Sequence, residues 1–126
     1  MDVRDAVEAD AERLAALTDA PQDVMRNLVH DRTVRVAERD GDIVGFVSYD
    51  ARERTVHVTQ LEGNPETYQR LLAEPLGFAD TEGMAVELLT PEDESAVHDA
   101  AHEAGFEETG NGPRFEGKQT TRFRFE

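Results

Sequence analysis

The side chains of this chain that are equipped for chemistry are a few carboxylates, histidines and tyrosines. It has no cysteine, so thiol nucleophiles, thiolate metal sites and disulfides are excluded. His57 lies between Val56 and Val58 in an alternating apolar run. An imidazole there is a general base if it opens onto a site, or a hydrogen-bonded core histidine on a sheet covered on both faces. Glu62, at the end of the same run, is a carboxylate able to take a proton directly or through water, or one solvated acid among 28. His98 and His102 stand four residues apart with Glu94 one turn earlier, a spacing that allows two or three metal ligands on one side of a helix. They border an apolar stripe of Val97, Ala101 and Ala104, and a zinc site wants more ligands than these, so no metal is expected. Tyr68 could donate a proton, although its spacing with Leu71 and Leu72 is that of core packing. Arg70 could reach a phosphate or make a surface ion pair.

The elements that must position these groups alternate along the chain. Val3 to Ala6 predicts a strand, and Glu8 to Thr18 a helix with Ala11, Leu14, Ala15 and Leu17 at helical spacing. Pro21 opens a second helix through Val24, Met25, Leu28 and Val29. The period then changes: Val34 and Val36 alternate with polar residues, and Asp40-Gly41 predicts a tight hairpin into a strand from Ile43 to Tyr49. Arg54 to Leu61 completes a three-stranded antiparallel meander. Asn64 caps a helix begun by Pro65, expected to stop before Pro75 because the residue preceding proline avoids helical geometry. Met84 to Leu89 predicts a strand, and Thr90-Pro91-Glu92-Asp93 a helix start running to Ala104, where Gly105 ends it. Phe106 to Thr109 and Arg114 to Phe125 close with strands.

The 126 residues suffice for one domain, spanning 1–126. Acidic residues outnumber basic ones 28 to 13, a net charge of -15 that argues against nucleic acid or an anionic membrane as partner. No apolar run approaches the roughly 20 residues a membrane span needs, and no leader-like segment opens the chain, so a cytoplasmic location is expected. Only Lys118 among the 13 basic residues is a lysine. Such a charge repels itself in dilute buffer, and the repulsion fades as the screening length falls to about 3 Å in 1 M salt. The expectation is a salt-adapted, halophilic acidic protein.

Three stretches carry a family resemblance over nearly the whole chain. Val3-Arg4-Asp5-Ala6 followed by Ala9-Asp10-Ala11-Glu12 and Leu14-Ala15-Ala16-Leu17 resembles the first strand and helix of the GNAT superfamily of acyl-CoA-dependent N-acyltransferases. Asp42-Ile43-Val44-Gly45-Phe46-Val47 resembles its third strand, and Ala104 to Gly110 the end of its last helix entering the sixth strand. The resemblance implies an α/β (α+β) fold, a mostly antiparallel mixed sheet of six to seven strands with four helices on both faces. It implies transfer of an acetyl group from acetyl-CoA to a small-molecule or peptide amine. In that chemistry a base takes the amine proton, a backbone N–H of the fourth strand polarises the thioester carbonyl, and an acid protonates the thiolate. By the same resemblance Glu62 is a candidate base, alongside His57 from its place in the strand, and Leu61, Gly63, Asn64, Thr67 and Arg70 are the coenzyme contacts.

The chain also departs from the family pattern. Only Glu62, Gly63 and Asn64 separate Leu61 from Pro65, where the family has a basic residue and spaced glycines for the pyrophosphate. No Lys or Arg occurs from Leu71 to Pro113. Ala101 stands where many members carry the acid tyrosine, and Glu94 where asparagine is common. Two readings therefore stand: an N-acetyltransferase with a divergent coenzyme site, and a GNAT-fold binding or assembly module without turnover. An acidic rim favours a cationic amine, and a homodimer is one option for assembly.

Overall fold

The computed structural model describes residues 1–126 and builds one seven-stranded sheet in the order β1-β2-β3-β4-β5-β7-β6. The strands are β1 (Asp2–Asp5), β2 (Thr33–Arg39), β3 (Asp42–Arg52), β4 (Thr55–Gly63), β5 (Ala85–Pro91), β6 (Glu107–Asn111) and β7 (Thr120–Phe125). The helices are α1 (Ala11–Thr18), α2 (Gln22–Asp31), α3 (Tyr68–Glu82) and α4 (Ser95–Glu103). All neighbouring strands run antiparallel except β4 and β5, whose parallel pairing spans only Thr55–Val58 against Ala85–Leu88.

The expected meander forms through two tight turns. Asp40 and Gly41 both take left-handed backbone, at φ 53° and 85°, which matches the twist of the flanking strands β2 and β3. The β3–β4 turn uses Glu53 and Arg54 in the same region without any glycine. Val34, Val36, Ile43 and Phe46 pack on one face with Ala11, Leu14 and Met25 of α1 and α2. Val47, Tyr49, Val56, Val58 and Leu61 pack on the other with Leu71 and Leu72 of α3 and Val97 and Ala101 of α4. Phe46 and Phe123 are fully buried, each contributing about 1.5–3 kcal/mol by removal of apolar surface from water.

Four sequence expectations change. The first helix is a 3₁₀ turn over Glu8–Asp10 followed by α1, because Asp10 turns its carboxylate back to the Val7 N–H (2.8 Å) and to Arg4 (2.9 Å). The third helix does not stop before Pro75 but runs through it to Glu82, with Pro75 itself buried. Burial of Leu71, Leu72, Pro75 and Ala79 along one stripe outweighs the roughly 3 kcal/mol an interior proline costs. Thr90 and Pro91 belong to β5, not to a helix start. Thr90 and Pro91 pair with Thr121 and Thr120, and α4 begins only at Ser95. The last strand is shorter than expected, since Phe115 to Lys118 forms its own small turn before β7.

Candidate functional site

The site is set by the place where β4 and β5 part. Their ladder ends at Val58↔Leu88, while β4 continues along β3 to Gly63 and β5 along β7 to Pro91. The β5-facing edge of β4 beyond Val58 thus has no strand partner. A bulge prepares this: Ser48 pairs Gln60 and Tyr49 pairs Val58, leaving Thr59 as the extra residue. The Thr59 hydroxyl is fixed 2.6 Å from that of Ser48, which is fully buried. Between the strands lies a cleft of about 80 Å³, bounded by Thr59 to Glu62, Leu88 to Pro91, Glu94 and Val97.

Glu62 stands opposite Phe46 across the β3–β4 ladder, which puts it on the α1–α2 face at the cleft edge. Its carboxyl is half-buried and held above the usual glutamate range, first by burial and then by the negative charge of Glu94. Tyr68 leads α3, is buried, and donates its hydroxyl to the Gly63 carbonyl at 3.2 Å. Burial pushes its pKa up, and Glu62 and Glu94 push it further, so it remains a protonated donor. The cleft is therefore bounded by two carboxylates, and the Tyr68 phenol lies near enough to feel the charge of both.

On the same face as Glu62, Gln60 lines a groove with Val24, Met25, Leu28 and Asp31 of α2 and with Arg32 and Asp50. Asp50 accepts from Arg32 at 2.6 Å through one oxygen, while its other oxygen is buried without a hydrogen-bond partner. The sequence reading missed this groove and the bulge. The signal for the bulge was present, because Thr59-Gln60 stretches the alternation of Val56 and Val58 to a three-residue step before Leu61.

His57 falls outside the cleft. It sits in the paired part of β4 beside Glu87, with Nδ1 4.0 Å from that carboxylate, and is partly exposed, not a core histidine. The polar group around it comprises Glu87, Arg122 and Arg124. His98 and His102 both set their rings edge-on to Phe123, at 5.2 Å centroid distance, and His98 Nε2 lies 3.1 Å from the Pro91 carbonyl. Their four-residue spacing serves packing. Ala101 is fully buried, so no side chain reaches the cleft from there.

The expected coenzyme contacts divide. Leu61 is buried against Val47 in the core. Gly63, Asn64 and Thr67 form a closed turn. The Asn64 N–H donates to the Val44 carbonyl at 2.8 Å, the Glu66 N–H to Asn64 Oδ1 at 3.0 Å, and the Thr67 N–H to the Asn64 carbonyl at 2.9 Å. The Tyr68 N–H goes to the Pro65 carbonyl, and Pro65 has none to give. Gly63 lies on Gly45 so tightly, at φ 110°, that a Cβ would sit 2.5 Å from the Gly45 Cα. The residues at this turn do not fit a diphosphate: no backbone donor from Asn64 to Tyr68 is free, and the side chains beside it include Glu62 and Glu66. Arg70 is exposed and makes no ion pair.

Solved structures share this fold. The chain is similar to a ribosomal-protein-alanine N-acetyltransferase from Brucella melitensis, at 19% identity and TM-score 0.81 over 98% of both chains. It is similar to YncA from Salmonella typhimurium, solved with its cofactor acetyl-CoA, at 18% identity and TM-score 0.80 over 100% of this chain and 93% of that one. An N-acetyltransferase from Staphylococcus aureus Mu50 matches at 13% identity and TM-score 0.81, over 99% and 97%. The fold is that of GNAT acetyltransferases. No protein-family model matches the sequence, and no curated protein matches it. No helix is long and apolar enough to cross a membrane.

Proposed function

We propose that this chain transfers an acetyl group from a thioester to a cationic amine, with Glu62 taking the amine proton. The observation that carries the reading is the position of Glu62: a half-buried carboxyl with a raised pKa, on the open edge of β4 where that strand leaves β5. A base with its pKa moved toward neutrality accepts a proton from an ammonium more readily than an ordinary glutamate. The unpaired edge of β4 offers backbone N–H groups to the developing oxyanion, and Tyr68 is a protonated hydroxyl beside the same carboxylates. The groove over α2 suits the amine, with Val24 and Leu28 for an apolar stem and Asp31 for the positive charge. The acidic total and the near absence of lysine support a salt-rich cytoplasm as the working environment.

The test is release of free thiol from acetyl-CoA and from simpler acetyl thioesters, with a panel of mono- and polyamines, in dilute buffer and in molar KCl. Amine-dependent thiol release is expected, with Glu62→Gln lowering kcat about 100-fold or more and leaving the fold intact. Thiol release no faster than the blank with every donor and amine would overturn the reading. A second reading, a binding or assembly module without turnover, is favoured by Ala101 in the core and by the closed turn after β4. That result would then support it.

A further inference from the structure

The turn joining β4 to α3 restricts the acyl donor. A donor carrying a nucleotide diphosphate needs free N–H groups or basic side chains to replace the water its phosphates lose. Here Asn64, Glu66, Thr67 and Tyr68 direct their N–H groups to acceptors inside the protein, and the fifth position is proline. The Thr67 hydroxyl is spent too, donating to the Asn64 carbonyl at 2.6 Å. Opening the turn would break the Asn64–Val44 bond and lift Gly63 off Gly45. The carboxylates Glu62 and Glu66 flank the turn, Arg39 is already 3.8 Å from Glu66, and the exposed Arg70 is a single cation set against those two acids. Beyond the turn the cleft sets Leu61, Leu88, Leu89 and Val97 beside the carboxylates Glu62 and Glu94, and no cation lines it.

We infer that the donor is a small thioester recognised through its acyl group and an uncharged thiol arm of pantetheine length or shorter, without a nucleotide diphosphate. The inference rests on the acetyl-transfer reading above. In the reaction the amine nitrogen forms a bond to the acyl carbon and the carbon–sulfur bond breaks. One ammonium proton leaves through Glu62 and a second ends on the thiol sulfur.

The experiment compares S-acetylpantetheine with acetyl-CoA as donors to one amine and titrates ADP into the protein by calorimetry, in dilute buffer and in molar KCl. The expected result is a kcat/KM for the two donors within about threefold, and no heat from ADP. A diphosphate held by even two charge-assisted bonds would favour acetyl-CoA by about 100-fold or more. That preference, or saturable ADP binding, would overturn the inference while leaving acetyl transfer standing. Turnover with neither donor would overturn acetyl transfer itself, and with it the donor assignment.

Discussion

Glu62 is held at some cost to the folded state, and the sign of that cost can be tested. A carboxyl whose pKa is higher folded than unfolded binds its proton more tightly in the native protein. Its contribution is therefore favourable below the unfolded value near 4.5 and is lost as the pH rises through the folded value. Glu62→Gln removes the charge and keeps the shape. Its thermal midpoint is expected to lie a few degrees above the parent at neutral pH, and to coincide with it in acid below the ordinary glutamate range. The same shift places the rising limb of the kcat/KM profile above the ordinary glutamate pKa, and Glu94→Gln is expected to move that limb down, because Glu94 supplies the second cause. Stability curves and a pH–rate profile check both. Glu62 was legible as a candidate in the sequence because a carboxylate ending an alternating run is visible there. Its partner Glu94 was not, since thirty-one intervening residues fold back to bring the two together and only the topology says so.

Among the elements, the turn after β4 carries the most constraint for its length. Gly63→Ala would need a Cβ at φ 110° and against the Gly45 Cα, so it is expected to cost at least about 1 kcal/mol, read from urea unfolding. Gly41→Ala meets open space and serves as the control for backbone strain alone. The β2–β3–β4 meander was legible because period-two alternation and Asp40-Gly41 act locally. The misplaced boundaries share another origin. Thr90-Pro91 has the chemistry of a helix start, yet strand β7 supplies partners that end β5 there. Pro75 has the chemistry of a helix stop, yet the core behind it holds α3 together. In both cases a distant contact outweighed a local preference, which no window of sequence contains. The closure of the turn after β4 was half legible: the lone Gly63 stands in the sequence, but the Asn64–Val44 bond that seals the turn appears only in the structure.

For the whole molecule the dominant quantity is charge. The arginines are largely engaged: Arg4 with Asp10 and Glu38, Arg35 with Asp5 and Glu74, and Arg122 and Arg124 with Glu87. The surplus acids have no such partners and repel one another. Raising KCl shortens the screening length from about 10 Å at 0.1 M to about 3 Å at 1 M, so the thermal midpoint is expected to rise by several degrees over that range. A flat or falling midpoint in differential scanning calorimetry would count against salt adaptation.

The four-rung parallel ladder between β4 and β5 has a kinetic consequence as well. It joins two stretches that are each continuous in sequence: residues 1–63, whose four strands are linked by hairpins and the α1–α2 connection, and residues 85–126, whose three strands surround α4. The β2–β3–β4 meander can zip from hairpin contacts, whereas the β4–β5 ladder joins residues such as Thr55 and Ala85 across the whole of α3 and waits for that helix to form. The seam is expected to close after the meander on the folding pathway. Truncating Val56 or Val86 at the ladder should speed unfolding and barely slow folding, with φ of about 0–0.3, while truncating Val36 in the meander slows folding itself. The joint whose early ending creates the cleft would then be one the chain completes only after the meander beside it has formed.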